Sequence, residues 1–436
     1  MSGQLGTLED LPQDYRAAMT AAGVGAGDLV AVESGRGIDY WVDVLAVWSL
    51  HAVMVPLDGR DEPARRKLIT DQLGQYYLSA MDGSVSLQQA DQPKPDVTGA
   101  GAIVFTSGST GLPKGAVLTL EQVFMNARST LEHLPVHDRH AVAIPFHFVS
   151  ALSHFMAAFL SGGALIGTER RLFPADLTDL IAESRATSFG GAPVQLNWIA
   201  DGEGDRVPTL QWVMSSGDAL QVSTIRRLQE RFPSLEIYTL YGLTELAGRF
   251  CILPAAEVET FAGSVGRPIT GLAARVAGEQ GETLPPKEVG EIVASGPLVK
   301  LRYLHEPMPA DPDAERSFPT GDLGYMAENG LIYLSGRRDD VFKVGGEKVS
   351  SVEVQEAIRQ TGLVSDCAVV GHDSGLGTMP VAFVVPASDD FSQAALLKAL
   401  RASLRSYSLP RQVRVVDEIP RTGSGKIKRA EIRALL

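Results

Sequence analysis

Four short stretches of this sequence combine residue types that handle phosphate. The densest is Thr106-Ser107-Gly108-Ser109-Thr110-Gly111-Leu112-Pro113-Lys114-Gly115, directly after the apolar run Ala102–Phe105. Small residues let backbone N–H groups approach phosphate oxygens, hydroxyls donate further bonds, and Lys114 supplies charge. It is not a Walker A loop, because Lys114 follows Pro113 and precedes Gly115 rather than Ser or Thr. Taken alone, the stretch fits a flexible surface turn equally well. Near the C-terminus, Arg421-Thr422-Gly423-Ser424-Gly425-Lys426-Ile427-Lys428 repeats the chemistry. In isolation it reads as a solvated basic tail, although glycines beside Lys426 would also let an ammonium reach an anionic centre. Tyr241-Gly242-Leu243-Thr244-Glu245 offers a ring to stack on a base, a hydroxyl for phosphate and an oxygen ligand for Mg²⁺. Thr320-Gly321-Asp322 places a carboxylate at a tight turn, where it could accept both hydroxyls of a ribose.

These stretches need a scaffold, and the apolar pattern supplies one. Leu29–Glu33, Ala52–Pro56, Ala102–Thr106, Ala141–Pro145, Trp212–Ser215 and Ile237–Leu240 read as buried strands. Between them, Tyr40–Leu50, Glu62–Leu73, Leu120–Leu131, Ala151–Leu160 and Leu220–Arg231 have helical length and spacing. The alternation predicts an α/β protein whose large N-terminal domain has layered parallel sheets with flanking helices. From Gly263 to Gly336, glycines and prolines punctuate short strands, which predicts a β-rich subdomain. Beyond it the pattern returns to βα, predicting a small α+β C-terminal domain. Ser350-Ser351-Val352-Glu353 forms a capping box there, and Cys367–Val370, Val381–Val385 and Val413–Val416 read as strands around a helix at Gln393–Leu404. The expected domains are 1–336, large, and 337–436, small.

Composition narrows the class. At 436 residues the chain is long enough for two or three domains and a large core. Hydrophobic residues at 44 % and charged residues at 21 % exclude wholesale disorder. Asp and Glu outnumber Lys and Arg by 52 to 39, so a broad nucleic-acid or anionic-membrane surface is disfavoured, while a local cationic pocket is not. Two cysteines, Cys251 and Cys367, allow no disulfide framework or thiolate zinc cluster and read as buried thiols. No apolar run reaches membrane-spanning length, and the first fifteen residues lack the regions of a secretory leader. The expected location is cytoplasmic. His133, His137 and His140 stand at i, i+4 and i+7, but Pro135 interrupts a helix, so a metal site there is disfavoured. Phe155, Met156 and Phe159 read as helix core.

Taken in order, the motifs resemble the AMP-forming acyl-adenylate superfamily of acyl- and aryl-CoA ligases, peptide-synthetase adenylation domains and luciferase. Eight segments carry the resemblance: VPLD (55–58), TSGSTGLPKG (106–115), SSGDAL (215–220), YGLTE (241–245), GSVGRP (263–268), TGD (320–322), GRRDDVFKVGGEKVSSVEVQ (336–355) and PRTGSGKIKR (420–429). The resemblance implies ATP, Mg²⁺ and either CoA or a carrier-protein phosphopantetheine as partners of a small carboxylic acid. It implies that Thr106, Ser107, Gly108, Ser109, Thr110 and Lys114 bind the β- and γ-phosphates. Gly217, Asp218, Ala219 and Tyr241 would line adenine, Thr244 the α-phosphate, and Glu245 would hold the metal. Asp322 and Arg337 would hold the ribose, with Asp339 as hinge. Lys426 would be the catalytic lysine of the first half-reaction. Lys343 with Gly345 and Gly346 would face the site, and the thiol, in the second.

For the acid, the resemblance directs attention to His147, Phe148, Ser150, Gly190, Gly191 and Ala247. An ungapped register from Pro145 places Phe148, not His147, at the family's histidine. No acidic residue occurs in 144–150 to grip an α-amino group, which disfavours an amino-acid substrate. The family's further N-terminal segment, ahead of the part that begins here at Leu8, carries none of these motifs. The expected function is an ATP-dependent carboxylic acid:CoA ligase. Its rivals are a stand-alone adenylation enzyme loading an acyl carrier protein, and a catalytically silent nucleotide-binding protein. An acidic protein offers a carrier, itself usually acidic, no evident docking patch.

Overall fold

The computed structural model describes residues 13–61, 63–107, 112–135, 138–169, 172–202, 207, 209–218, 220–311, 314–344, 347–373, 378–388, 390–401, 403–421 and 427–436. For residues 13–15, 65, 107, 339, 343, 348 and 430 it describes the backbone alone. Two compact units emerge: Met1–Ala274 with Ala294–Phe318, and Arg275–Val293 with Pro319–Leu436.

The first unit holds two seven-stranded sheets. One runs in the order Arg302–Tyr303, Pro113–Leu118, Ala102–Ser107, Val53–Leu57, Leu29–Glu33, Gln75–Ser79, Val85–Gln89. Its four inner strands, from Ala102–Ser107 to Gln75–Ser79, pair in parallel, and its outer strands are antiparallel. Every residue of Leu29–Glu33 and Val53–Leu57 is buried, which explains why these runs are continuous rather than alternating. The second sheet runs Arg267–Pro268, Cys251–Leu253, Glu236–Tyr241, Trp212–Ser215, Ser188–Gly191, Arg139–Val142, Ala164–Gly167, again with a parallel centre and antiparallel strands at one edge. The parallel pairing expected from the sequence thus holds at the sheet centres, while several edges turn antiparallel.

One hydrophobic cluster joins Met54 and Val104 of the first sheet to Val142 of the second, through the helices Ile38–Ser49, Leu120–Leu131 and Val149–Leu160. Within it Trp41 stacks on Phe155, centroids 4.3 Å apart and planes 9° from parallel, a contact that contributes about 1 kcal/mol beyond burial. Helix Leu120–Leu131 starts at a complete capping box: Thr119 Oγ1 accepts from Gln122 N at 3.0 Å, and Gln122 Oε1 accepts from Thr119 N at 2.9 Å. The Gln122 amide then donates to the carbonyls of Pro297 and Val299, at 2.8 and 2.7 Å. One turn later, Asn126 donates to the carbonyls of Leu246 and Arg249 and accepts from Arg249 N. A single buried helix face therefore fixes two loops that carry chemistry.

Several boundaries differ from expectation for local reasons. The strand expected at Ala141–Pro145 spans Arg139–Val142. The helix expected at Glu62–Leu73 runs Pro63–Thr70 and tightens into a 3₁₀ turn at Asp71–Leu73, and that at Gln393–Leu404 ends at Leu400. Strand Ser188–Gly191 carries no strand signal in its Ser-Phe-Gly-Gly sequence and exists because it is paired on both sides.

Most of a four-stranded sheet, Ala273–Ala277, Gly290–Gly296, Arg316–Met326 and Ile332–Arg337 in that order, belongs to the second unit. A three-stranded sheet, Val364–Asp373, Thr378–Pro386 and Gln412–Val415, packs on helices Ser351–Gln360 and Gln393–Leu400. Ser350 caps the first of these helices, accepting from Glu353 N at 3.4 Å. The turn Arg338–Asp340 is held at both ends: Arg338 donates to Glu291 Oε2 at 3.1 Å, and the buried Asp340 pairs with Arg429 at 2.5 Å. Among the described residues no helix is long and apolar enough to cross a membrane.

Candidate active site

In the first unit, Thr106 and Lys114 face each other across antiparallel strands, with Thr106 Oγ1 donating to the Lys114 carbonyl at 3.4 Å. Ser107 ends the first strand opposite Pro113. Gly108, Ser109 and Thr110 lie outside the described residues. The Lys114 ammonium stands 5.5 Å from the ring centroid of Tyr303, and Lys300 stands over the same ring at 4.0 Å. Burial is the main influence pushing the Lys300 pKa down.

Thr244 and Glu245 open a 3₁₀ turn after strand Glu236–Tyr241. Ala247 closes it in the left-handed conformation, φ 57°, with its N–H on the Thr244 carbonyl at 3.1 Å. The chain folds back so tightly that any side chain at Gly242 would clash with the Gly248 carbonyl. This return brings Glu245 inward. Its Oε1 accepts from the Tyr303 hydroxyl at 2.9 Å, and its carbonyl accepts from Lys300 N at 2.7 Å. Burial, followed by the Glu245 charge, pushes the Tyr303 phenol well above its usual range, so it stays a donor. An oxygen-only donor beside a phosphate-type loop is what Mg²⁺ requires, so Glu245 fits that ion. Tyr241 packs against Phe250 at 5.5 Å, and Gly217 turns with φ 96° ahead of the exposed Asp218. Ala219 lies outside the described residues.

The expected acid-binding residues cluster at one helix. Phe148 is the N-cap of helix Val149–Leu160, its carbonyl accepting from Ala151 and Leu152, and Ser150 lies in the first turn. His147 Nδ1 meets Ser34 Oγ at 3.2 Å and lies 4.0 Å from Asp58 Oδ2, so the early Val-Pro-Leu-Asp segment anchors its ring. Gly190 and Gly191 end strand Ser188–Gly191, and a side chain at Gly190 would clash with His154 of the same helix. Phe155 and Met156 are buried core, as the sequence suggested, and Phe159 packs against it. Of the three spaced histidines, His133 is exposed, His137 lies outside the described residues, and His140 is buried against Ser188 and His154.

In the second unit Asp322 and Arg337 are partners across antiparallel strands, Arg337 Nε lying 3.2 Å from Asp322 Oδ1. Thr320 supports them: its hydroxyl accepts from Asp322 N at 3.1 Å, and its carbonyl accepts from Arg337 at 3.1 Å. Asp339 lies in the 3₁₀ turn Arg338–Asp340, and Lys343 pairs with Lys348 between short strands. Gly345, Gly346 and Lys426 lie outside the described residues. Arg421 and Ile427, on either side of 422–426, form an antiparallel bridge, and Arg421 pairs with Asp366 at 2.8 Å. The flanks of Lys426 are therefore anchored to the fold. Sequence reasoning missed Tyr303, Lys300, Arg249 and His154, whose partners are far away in the chain. Only Arg249, four residues beyond Glu245, and His154, four beyond Ser150, stand near residues that the resemblance singles out.

The sequence profile of AMP-binding enzymes matches residues 61–304, and that of the AMP-binding enzyme C-terminal domain matches residues 353–426. A feruloyl-CoA synthase of Amycolatopsis sp is 30 % identical over an alignment of 444 positions, gaps included, covering 95 % of this chain and 90 % of its own. A 2-succinylbenzoate–CoA ligase of Bacillus cereus (strain AH820) is 27 % identical, covering 96 % and 90 %. Among solved structures, the o-succinylbenzoate CoA synthetase of Bacillus subtilis with its acyl-adenylate intermediate superposes with a TM-score of 0.84 at 22 % identity, over 98 % of this chain and 92 % of that one. ATP-bound MatB of Rhodopseudomonas palustris gives 0.83 at 23 %, over 98 % and 92 %. These two likenesses establish the fold.

Proposed function

Because this chain belongs to the AMP-binding enzyme family and is an AMP-forming acid–thiol ligase, we propose that it activates a small aromatic or apolar carboxylic acid with ATP and passes the acyl group to CoA. The observation that carries this reading is the buried Glu245 carboxylate, held by the hydroxyl of Tyr303, over whose ring the ammonium groups of Lys114 and Lys300 stand. A carboxylate attacking an anionic phosphorus needs both reactants aligned and their charge offset.

In the first half-reaction a carboxylate oxygen of the acid bonds to the α-phosphorus, and the bond to the β-phosphate oxygen breaks, releasing pyrophosphate. The 106–115 segment with Lys114 binds the departing phosphates, and Thr244 the α-phosphate. Gly217, Asp218, Ala219 and Tyr241 hold adenine, while Asp322 and Arg337 hold the ribose. Glu245 would hold Mg²⁺, which when bound neutralises charge on the phosphate oxygens. Lys426 bridges the acid and the α-phosphate as a positioned cation. In the second half-reaction the thiol sulfur attacks the acyl carbon, losing its proton, and AMP leaves. For this step the lid, 337–436, turns about Asp339 and presents Lys343 with Gly345 and Gly346. Phe148, Ser150, Gly190, Gly191 and Ala247 wall the acid, with His147 behind them.

Acid-dependent ATP–pyrophosphate exchange, followed by AMP formation once CoA is added, tests the proposal. Exchange that leads to transfer only onto a holo-carrier protein would replace CoA as the acceptor. ATP binding without exchange, across aryl, short-, medium- and long-chain acids, would leave a silent nucleotide-binding protein.

A further inference from the structure

The second sheet buries a cation that none of these steps uses. Arg249, only 3 % exposed, follows the Ala247-Gly248 return, and Asn126 fixes its backbone on both sides. Its Nη2 lies 2.9 Å from His154 Nε2. A guanidinium only donates, so this nitrogen of His154 must accept. His154 then carries its proton on Nδ1 and donates to His140 Nε2 at 2.8 Å. His140 in turn donates from Nδ1 to Ser188 Oγ at 2.7 Å. Both imidazoles are thereby neutral, and the group carries the single charge of Arg249.

Among the described residues no carboxylate pairs with Arg249, and its Nε, fully buried, has no hydrogen-bond partner. Burial alone pushes its pKa down to about 10. A dehydrated cation without a counter-charge is unfavourable until an anion joins it. The Ser153 hydroxyl, also buried and unpartnered, sits where a side chain at Gly248 would fall, and His154 sits where one at Gly190 would fall. Gly190 and Gly248 thus let His154 and Ser153 pack directly on the backbone of two segments that the adenylation reading assigns to the acid site.

We propose that the acid taken by this site carries a second anionic oxygen group, a carboxylate in the simplest case, which Arg249 and Ser153 bind while His154 positions the guanidinium. This rests on the adenylation reading above. Phe148 accounts for the apolar body of the acid, and Arg249 for its far end.

The test uses matched acids that share a skeleton and differ at the far end: carboxylate, carboxamide or methyl. Pyrophosphate exchange by the wild type should favour the dianionic acid by about 100-fold in kcat/KM, because a site built for a charged oxygen rejects analogues lacking it. In Arg249→Met that ratio should fall at least about tenfold, and Arg249→Lys should retain part of it. The ratio does not depend on how much of a variant folds. His154→Leu should lower the ratio, and His154→Gln, which keeps an acceptor for Arg249, should restore it. A wild-type ratio near one, or a preference unchanged in Arg249→Met, overturns the proposal. Thermal stabilisation by the dianionic acid is measured alongside. If no acid supports exchange, yet that stabilisation is present in the wild type and absent in Arg249→Met, the adenylation reading fails and the anion site stands. If both are absent, both fail.

Discussion

The Tyr303 hydroxyl donates to Glu245 Oε1 at 2.9 Å, across 58 positions of sequence, and two ammonium groups rest on the ring that carries that hydroxyl. Hydrogen bonds to charged groups are worth roughly 1.5–3 kcal/mol. Tyr303→Phe should therefore lower pyrophosphate exchange about tenfold or more and also lower the free energy of unfolding, by about 1–3 kcal/mol. Exchange at the wild-type rate would show that the phenol does not orient Glu245.

Asn126 makes three bonds to the backbone of the 246–249 return. Asn126→Ala should destabilise the protein by about 2–4 kcal/mol, since buried carbonyls and an N–H lose their partners. Urea unfolding measures it; a loss below about 0.5 kcal/mol would mean the return holds itself.

If Asp322 accepts ribose hydroxyls, its contribution depends on those hydroxyls being present. Asp322→Ala should raise KM for ATP by about 10-fold or more, and 2′-deoxy-ATP should bind the variant and the wild type with more similar KM values. Equal penalties for both nucleotides in both proteins would place Asp322 elsewhere than on the 2′-hydroxyl.

Burial pushes both thiols up: Cys367 to about 11 and Cys251 well above its ordinary value. A raised pKa keeps the proton on sulfur, so at pH 8 only about a thousandth of Cys367 is thiolate. Neither cysteine should react with iodoacetamide at pH 8 in the folded protein, and both should react in guanidinium, as read by mass. Each thiol also favours the folded state fully below its unfolded pKa, a contribution lost as pH rises through the folded value. Rapid labelling of native protein would contradict the packing of Cys251 in its strand.

The motifs were legible because phosphate chemistry is local. Strand Ala102–Ser107 leading into the glycine-rich turn, and Glu236–Tyr241 leading into Thr244-Glu245, appear where the apolar runs end. What the sequence hid is non-local or uncharacteristic. Strand Ser188–Gly191 has no side-chain pattern, and only its two neighbours define it. His140 was spaced suggestively with His133 and His137, yet its partners are Ser188 and His154. Arg249 lies 95 positions from His154, a separation that no local pattern reveals.

The clamped turn Arg338–Asp340 has a mechanical consequence. Arg338 grips Glu291 on one side of Asp339, and Asp340 grips Arg429 on the other. On the hinge reading proposed above, a turn so clamped would act as a pin joint rather than a leaf spring. Arg429 also stands three residues beyond Lys426. On the same reading, the grip on Asp340 would tie the pivot to the helix that begins at Arg429, just beyond that lysine.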